Sequence, residues 1–153
     1  MGDIISLLIA LVMLIIASIT GSIAEKRHYK SIKEREIDLL TLPAVNVSKN
    51  VLLADKRVQS SYVVTGCAVI GSDGFKDFIS SFRILFGGRM ISYESLIDRA
   101  RREAILRMKE SAIDADIIIN TRLETSMSDE TRQRNETAKV AVIAYGTAIT
   151  YEK

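Results

Sequence analysis

The stretch Tyr93–Ala112, YESLIDRARREAILRMKESA, decides the fold because its apolar side chains recur every three to four residues. That spacing is typical of one face of an α-helix. The side chains that follow it are Leu96 or Ile97, Ala100, Ala104, Met108 and Ala112. Ser92 is suited to cap the helix, and Glu94 lies in the first turn, where the helix dipole favours a carboxylate. We therefore predict a helix from Tyr93 to Ile113 with a narrow, alanine-rich stripe that packs closely on a sheet.

Three segments rich in Val, Ile and Thr flank this helix and are predicted to be strands. They are Ser61–Ile70 before the helix, and Ile117–Thr125 and Lys139–Thr150 after it, with Val45–Leu53 as a candidate for a further strand. The polar segment between Thr125 and Lys139 is predicted to be a mobile hairpin loop. The order strand, helix, strand, strand predicts an α+β domain of two layers. Two layers leave one sheet face uncovered, and oligomerisation is the usual way to cover it.

The N-terminal segment Ile4–Ala24 contains no charged residue and, as a helix, would reach roughly 31 Å, about the thickness of a bilayer core. We predict that residues 1–24 form one transmembrane helix, with a cleaved signal peptide as the alternative. The basic residues that follow predict a single-pass protein of the cell membrane, with its N-terminus outside and its C-terminal domain in the cytoplasm.

Residues 25–41 are predicted to be a basic juxtamembrane helix or linker, and the spacing of Tyr29, Ile32, Glu36 and Leu39 or Leu40 extends the helix to about Asp38. Its mixed charges are interpreted as a solvated, lipid-facing collar, with recognition of an anionic lipid as the alternative. The collar residues are Lys26, Arg27, Lys30 and Lys33. Membrane lipid is therefore a predicted partner. The net charge of +2 gives no strong case for nucleic acid, so none is predicted to bind.

The soft metal ligands of the chain are limited to His28 and Cys67, and neither lies in a CxxC, HxxxH or HxxE pattern. We expect Cys67 to be a buried structural thiol. A ring of subunits could still gather copies of Cys67 into a metal site if the thiol faced the axis. No catalytic motif accompanies the single histidine, so the chain is predicted not to be an enzyme.

The stretch Leu85–Leu96, LFGGRMISYESL, raises the question of a phosphate cradle, because adjacent glycines and a helix N-terminus can bind anions. It lacks the spacing of a P-loop and of a dinucleotide-binding motif. We therefore interpret Gly87, Gly88 and Arg89 as a tight corner or a subunit contact, with anion binding as the alternative.

Three stretches together resemble the YbjQ-type domain family, described as "putative heavy-metal-binding". They are VVTGCAVIG (Val63–Gly71), the segment from Leu85 to Ala112, and AYGTAITY (Ala144–Tyr151). The resemblance covers Leu42 to Tyr151, within a cytoplasmic domain of residues 42–153, and implies a fold like a dodecin subunit that assembles as a ring, typically a pentamer. Its motifs GGR, YE, RxEA and YGTA carry the residues to which we assign structural or subunit-contact roles. These are Gly87, Gly88, Arg89, Tyr93, Glu94, Arg101, Glu103, Tyr145, Gly146 and Thr147.

Three functions are compatible with these features. The first is a membrane-anchored homo-oligomeric ring, based on a pentamer, that acts as a scaffold or binding module and has itself as partner. The second is a heavy-metal-binding or metal-sensing module, with a heavy metal ion as cofactor and Cys67 as the candidate ligand. The third is an oligomeric membrane pore lined by the N-terminal helices.

Overall fold

A computed structural model describes residues 2–46, 57–71, 91–128 and 139–152. Helix α1 (Gly2–Asp38) is followed by strand β1 (Val58–Gly71), helix α2 (Ile91–Glu110), strand β2 (Ile117–Ser128) and strand β3 (Lys139–Tyr151). The predicted helix and all three predicted strands are confirmed, each within a few residues of its expected ends. Gly87, Gly88, Arg89, most of the predicted strand Val45–Leu53 and most of the predicted hairpin loop lie outside the described residues.

The three strands form one antiparallel sheet in the order β1-β3-β2. Cys67 of β1 lies opposite Ile143 of β3, which in turn lies opposite Glu124 of β2. The pairing of β2 with β3 shifts register between Ile119 and Arg122, where Asn120 has a φ of 53°. Asparagine is among the few residues that adopt this left-handed conformation readily. The α+β class and the antiparallel sheet are therefore confirmed.

The core lies between α2 and the inner face of the sheet. The predicted stripe is buried there, including Ala100, Ala104 and Met108 of α2 and Ala112 just after it, and it packs against strand residues such as Val142. Small side chains on α2 allow a close approach to β1. A Cβ on Gly66 would overlap the backbone of Ala104 and Met108, so only glycine fits this point of contact.

The second half of α1 packs on the side of α2 that faces away from the sheet. A small apolar cluster of Ile32, Leu39 and Leu106 joins the two helices, and the hydroxyl of Tyr29 donates a hydrogen bond of 3.1 Å to the carbonyl oxygen of Ser95. Alpha1 therefore adds a third layer to the two that the sequence predicted. The predicted extension of this helix to about Asp38 is confirmed.

No helix in the described part of the chain combines the length and apolar character needed to cross a membrane. The predicted transmembrane helix of residues 1–24, and with it the single-pass location in the cell membrane, is therefore wrong. The proposed membrane pore loses its basis as well. The uncharged run Ile4–Ala24 suggested a membrane span on length and hydrophobicity alone. In the structure it is the first part of a 37-residue helix whose second part is charged and is bound to α2.

One edge of the sheet is extended by the segment after α1. The amide of Val45 donates to the carbonyl of Ile118 at 2.9 Å, and the amide of Ile118 donates to the carbonyl of Pro43 at 2.9 Å. Ala44 forms an isolated parallel bridge with Ile118. A short edge pairing therefore replaces the part of the predicted strand Val45–Leu53 that the structure describes.

Candidate functional site

The outer face of the sheet, on the side opposite α2, carries a row of exposed apolar side chains. Residues alternate between the two faces of a strand, and Gly66 and Ala68 face α2, so their neighbours in β1 point outward. Val63 is 74% exposed, and Val69 and Ile143 are also largely exposed. We define the outer face by Val63, Thr65, Cys67 and Val69 of β1 and by Ala141, Ile143, Tyr145 and Thr147 of β3. An exposed apolar surface of this kind is typical of a binding site.

At one end of the sheet, the outer face is covered by other residues of the same chain. Ile117, Ile119 and Ile149 are buried there, with Val45 and Tyr151 packed against them. The remaining exposed part is centred on the Cys67–Ile143 pair, and Glu124 continues the same row on β2. The uncovered surface is therefore a defined patch with an apolar centre and a polar border.

Cys67 is exposed, so the expectation of a buried thiol is wrong. The alternation of the strand gives the reason, because Gly66 must face α2 at the point of closest approach and Cys67 is then directed to the other side. His28, the second candidate ligand, lies on α1 and pairs with α2 instead. No group of three or more metal-ligating side chains occurs among the described residues. Among the described residues, Cys67 therefore has no second soft ligand beside it.

A cluster of charged side chains joins α1 to α2, with Glu103 at its centre. The Glu103 side chain is only 5% exposed. One of its oxygens accepts a hydrogen bond of 2.8 Å from Nη1 of Arg35, and the other accepts one of 2.7 Å from Nε of Arg107. Nε2 of His28 lies 3.7 Å from the carboxylate, and Arg35 also donates to Glu110 at 2.6 Å. This cluster fixes α1 at the middle of α2.

A second ion pair lies beside the first. Arg102 donates two hydrogen bonds to the carboxylate of Glu36, of 2.7 Å from Nε and 2.5 Å from Nη2. Such a two-point contact fixes both the distance and the orientation of the partners. The amine of Lys109 donates to the carbonyl of Leu39 at 3.2 Å, close to the C-terminal end of α1. The α1–α2 contact is therefore mainly ionic, with a small apolar centre.

The pKa values of the cluster follow from this geometry. Burial opposes ionisation of Glu103, but the hydrogen bonds from Arg107 and Arg35 outweigh it and lower the pKa of the carboxyl. The hydrogen bond from Arg102 lowers the pKa of Glu36. Burial lowers the pKa of His28 although Glu103 acts in the opposite direction. Both carboxylates are therefore ionised at neutral pH, and His28 is mainly neutral.

A cavity of about 300 Å³ lies between α1, α2 and the end of β1, and His28 and Arg99 are part of its wall. Nε of Arg99 is buried with no hydrogen-bond partner among the described residues, while its Nη1 lies 4.0 Å from the carboxylate of Glu25. The wall thus carries one acid and one guanidinium beside a histidine whose pKa is lowered. This balance gives the cavity no clear preference for an anion or a cation.

The other predicted site residues occupy separate places. Glu94 is exposed on α2, Tyr93 lies on the same helix, and Arg101 donates a bond of 3.4 Å to the hydroxyl of Thr125. Tyr145 and Thr147 belong to the outer face, whereas Gly146 faces inward, where a Cβ would lie 2.8 Å from Cγ2 of Ile118. Lys26, Arg27, Lys30 and Lys33 are exposed on α1, with Lys30 at 3.8 Å from Glu34. Among the predicted contact residues that the structure describes, Glu103 alone lies in the charged cluster.

The pairing of Arg35, Glu36 and Arg102 across the two helices was not predicted from the sequence. A signal was present, because the 3-to-4 spacing of Tyr29, Ile32, Glu36 and Leu39 marks the stripe of α1 that packs on α2. That spacing was used only to extend the helix. A mixed polar and apolar stripe on a charged helix indicates a contact surface as well.

Comparisons with known proteins agree with this architecture. A family model described as "Putative heavy-metal-binding" matches residues 45–152. The UPF0145 protein of Clostridium novyi (strain NT) is 31% identical over 99 residues, which cover 63% of this chain and 89% of that protein. The UPF0145 protein of Saccharolobus solfataricus is 33% identical over 100 residues, which cover 64% of this chain and 82% of that protein.

The fold was also compared with a crystal structure from Pediococcus pentosaceus, of a protein of unknown function in the DUF74 family. The two sequences are 17% identical, the TM-score is 0.38, and the match covers 72% of this chain and 96% of that one. The family model spans well over half of the chain and includes β1, α2, β2 and β3. The chain therefore belongs to the YbjQ family, whose domain is described as "Putative heavy-metal-binding".

Proposed function

We propose that the chain is a self-associating module whose domains form a homo-oligomeric ring, based on a pentamer, that serves as a scaffold or binding platform. The observation that carries this proposal is the outer face of the sheet. Its apolar centre, formed by Val63, Cys67, Val69 and Ile143, is left exposed while the inner face is fully packed. Burial of such a surface against another copy of the chain removes apolar area from water and favours association.

A second surface of the domain is available for the same contact. Beta1 is a 14-residue edge strand, and among the described strands it pairs only with β3. Long edge strands present unpaired backbone groups that pair readily with another chain. A subunit that uses its outer face on one side and a different surface on the other makes head-to-tail contacts. Contacts of that kind close into a ring when the rotation between neighbours permits.

The single cysteine gives a direct test, because Cys67 lies at the centre of the outer face. We expect the thiol in the assembled protein to react slowly with a maleimide, and native mass spectrometry to show a multiple of the subunit mass. Replacing Val63 by Lys places a charge in the apolar centre and should release the thiol, with at least a tenfold faster reaction. Ile113→Lys is the matched control, since Ile113 is 70% exposed against 74% for Val63 but lies after α2.

A thiol that reacts in the wild type as fast as in Val63→Lys would refute the outer face as the contact surface. A Val63→Lys variant must keep the far-UV circular dichroism of the wild type for the comparison to hold. Ile143→Lys provides a second variant on the same face, opposite Cys67 in the sheet.

Heavy-metal binding is the second candidate, and the exposed position of Cys67 favours it. A thiol on a surface where copies of the chain meet could form a site of several thiolates, which soft metals prefer. We expect such a site to hold fewer metal ions than there are chains. Loading the protein with Cd²⁺ and measuring the metal-to-chain ratio tests this, with Cys67→Ser as the control. Binding that Cys67→Ser leaves unchanged would exclude this site.

A further inference from the structure

The first part of α1 exposes large apolar side chains before the helix reaches α2. Ile5, Ile9, Ile16 and Ile19 are each about half exposed or more. The ionic contacts with α2 start at Glu25, which lies 4.0 Å from Arg99. A helix with so much exposed apolar surface is expected to bind something along that length.

The apolar residues of this part follow a seven-residue repeat. Ile9, Ile16 and Ile23 occupy one position of the repeat, which we call a, and Ile5, Val12 and Ile19 occupy the position four residues earlier, which is d. All six are β-branched. Such a repeat over three heptads is the pattern of helices that supercoil around one another, and isoleucine at both positions favours three or more strands.

The repeat ends where α1 begins to contact its own domain. The next d and a positions are Lys26 and Lys30, both exposed. The opposite side of the helix is less continuous, because Leu7 and Leu11 give way to Gly21 and Ala24. The a and d positions therefore define the one side that stays bulky and apolar from Ile5 to Ile23.

The hydroxyls within this part do not require an external partner. Ser6 donates to the carbonyl of Asp3 at 2.9 Å, and Thr20 donates to the carbonyl of Ile16 at 3.0 Å. Both bonds lie within α1 itself. The helix thus presents its apolar side without unsatisfied hydroxyl groups at these two positions.

We propose that residues 5–23 of α1 form a parallel coiled coil with copies of the same chain. The six side chains of the a and d positions each expose on the order of 80 Å², so two helices would bury about 1,000 Å², at the lower limit of a specific interface. A third or further helix in the coiled coil raises the buried area, which agrees with the preference of isoleucine at a and d for three or more strands. The parallel orientation rests on the proposed ring, because rotation about one axis places all N-termini on the same side.

Disulfide cross-linking of the full chain tests this proposal. Ile9→Cys at position a is compared with Leu11→Cys, which lies at the outward position c and has nearly the same exposure, 57% against 58%. Both are made in a Cys67→Ser background. In a parallel coil, copies of position 9 face one another within reach of a disulfide, whereas in an antiparallel coil they do not.

We expect Ile9→Cys to form disulfide-linked dimers under mild oxidation at least tenfold faster than Leu11→Cys. Equal rates at the two positions, or no cross-linking at either, would overturn the coil. Binding of a monomeric chain to phosphatidylcholine vesicles, with loss of the disulfide at position 9, would assign the surface to a different occupant and overturn it as well.

The coil and the ring can fail separately in these experiments. Maleimide reaction of Cys67 reports only the outer face of the sheet, and the disulfide at position 9 reports only α1. Adding Val63→Lys to the Ile9→Cys variant should leave the cross-link if the coil holds by itself. Loss of the cross-link in that combination would show that α1 has no self-association of its own, and would overturn the proposal.

Discussion

Replacement of Glu103 by Gln should destabilise the domain by about 2 kcal/mol at neutral pH. The carboxylate accepts hydrogen bonds of 2.8 Å from Arg35 and 2.7 Å from Arg107, and its side chain is 5% exposed. A charge-assisted hydrogen bond contributes about 1.5–3 kcal/mol when buried. Arg107 is half exposed and Arg35 about a quarter exposed, so solvent screening reduces the sum, and the amide can still accept one of the two bonds.

Thermal unfolding monitored by circular dichroism measures this loss. A loss of about 2 kcal/mol lowers the melting temperature by about 4–8 °C for a domain of this size. Glu34→Gln is the matched control, because Glu34 pairs with Lys30 at 3.8 Å on the exposed side of α1. We expect the control to change the stability by less than about 0.5 kcal/mol.

The difference between wild type and Glu103→Gln should depend on pH in one direction. The folded-state pKa of Glu103 lies below its ordinary value of 4.5, so the unfolded chain takes up a proton first as the pH falls. The contribution is complete above pH 4.5 and is lost as the pH falls through the folded-state pKa. A variant as stable as the wild type at pH 7, or a difference that persists undiminished in strong acid, would refute the role of this carboxylate.

Substitutions at Gly66, His28 and Asn120 test other parts of the structure. Gly66→Ala should lower the free energy of unfolding, measured in urea, by about 3 kcal/mol or more, because its Cβ would overlap the backbone of α2. Gly71→Ala is the control, because a Cβ at Gly71 meets only Cγ of Lys139 at 3.9 Å, and its stability should stay within about 0.5 kcal/mol of the wild type. A tolerated Gly66→Ala would contradict the close approach of α2 to β1. Because the pKa of His28 is lowered from 6.5, the unfolded chain binds the proton first, and the wild type loses stability as the pH falls from 6.5 through the folded-state pKa. The His28→Gln variant should therefore lose less free energy of unfolding than the wild type between pH 7 and pH 5. An equal loss in both proteins would contradict this. Asn120→Val should lower the free energy of unfolding by about 1–3 kcal/mol, because valine is strained at a φ of 53°, whereas Asn120→Gly should change it little. Equal melting temperatures for the two variants would argue against the left-handed conformation of Asn120.

The domain was predictable from local patterns because its elements have strong and separate periodicities. The alanine stripe of α2 and the β-branched strands each satisfy one rule over many residues. The outward orientation of Cys67 follows from a contact that only the structure shows. Once Ala104 and Met108 require a glycine opposite them, Gly66 must point inward, and Cys67 must then point outward. What the sequence lacked was the depth of that contact, which depends on how closely the helix approaches the sheet.

The contact of α1 with α2 was harder to predict because it joins residues more than sixty positions apart. Glu36 and Arg102 are unremarkable as single charges, and their pairing depends on the three-dimensional path of the chain between them. The same holds for Arg35 and Glu103. The prediction of a transmembrane helix at the start of α1 was wrong because it rested on hydrophobicity alone. An uncharged run gives no information on what it contacts.

Because α1 is one continuous helix, a small rotation where it is attached to α2 produces a large displacement at its N-terminal end. Its 37 residues extend about 55 Å as one helix, and the ion pairs that the structure describes between α1 and α2 involve residues from Glu25 onward. A rotation of 5° about that attachment would move the N-terminal end by roughly 3 Å, since about 35 Å of helix extends beyond it. Small angular changes among Arg35, Glu103 and Arg107 are therefore amplified at the far end of the molecule.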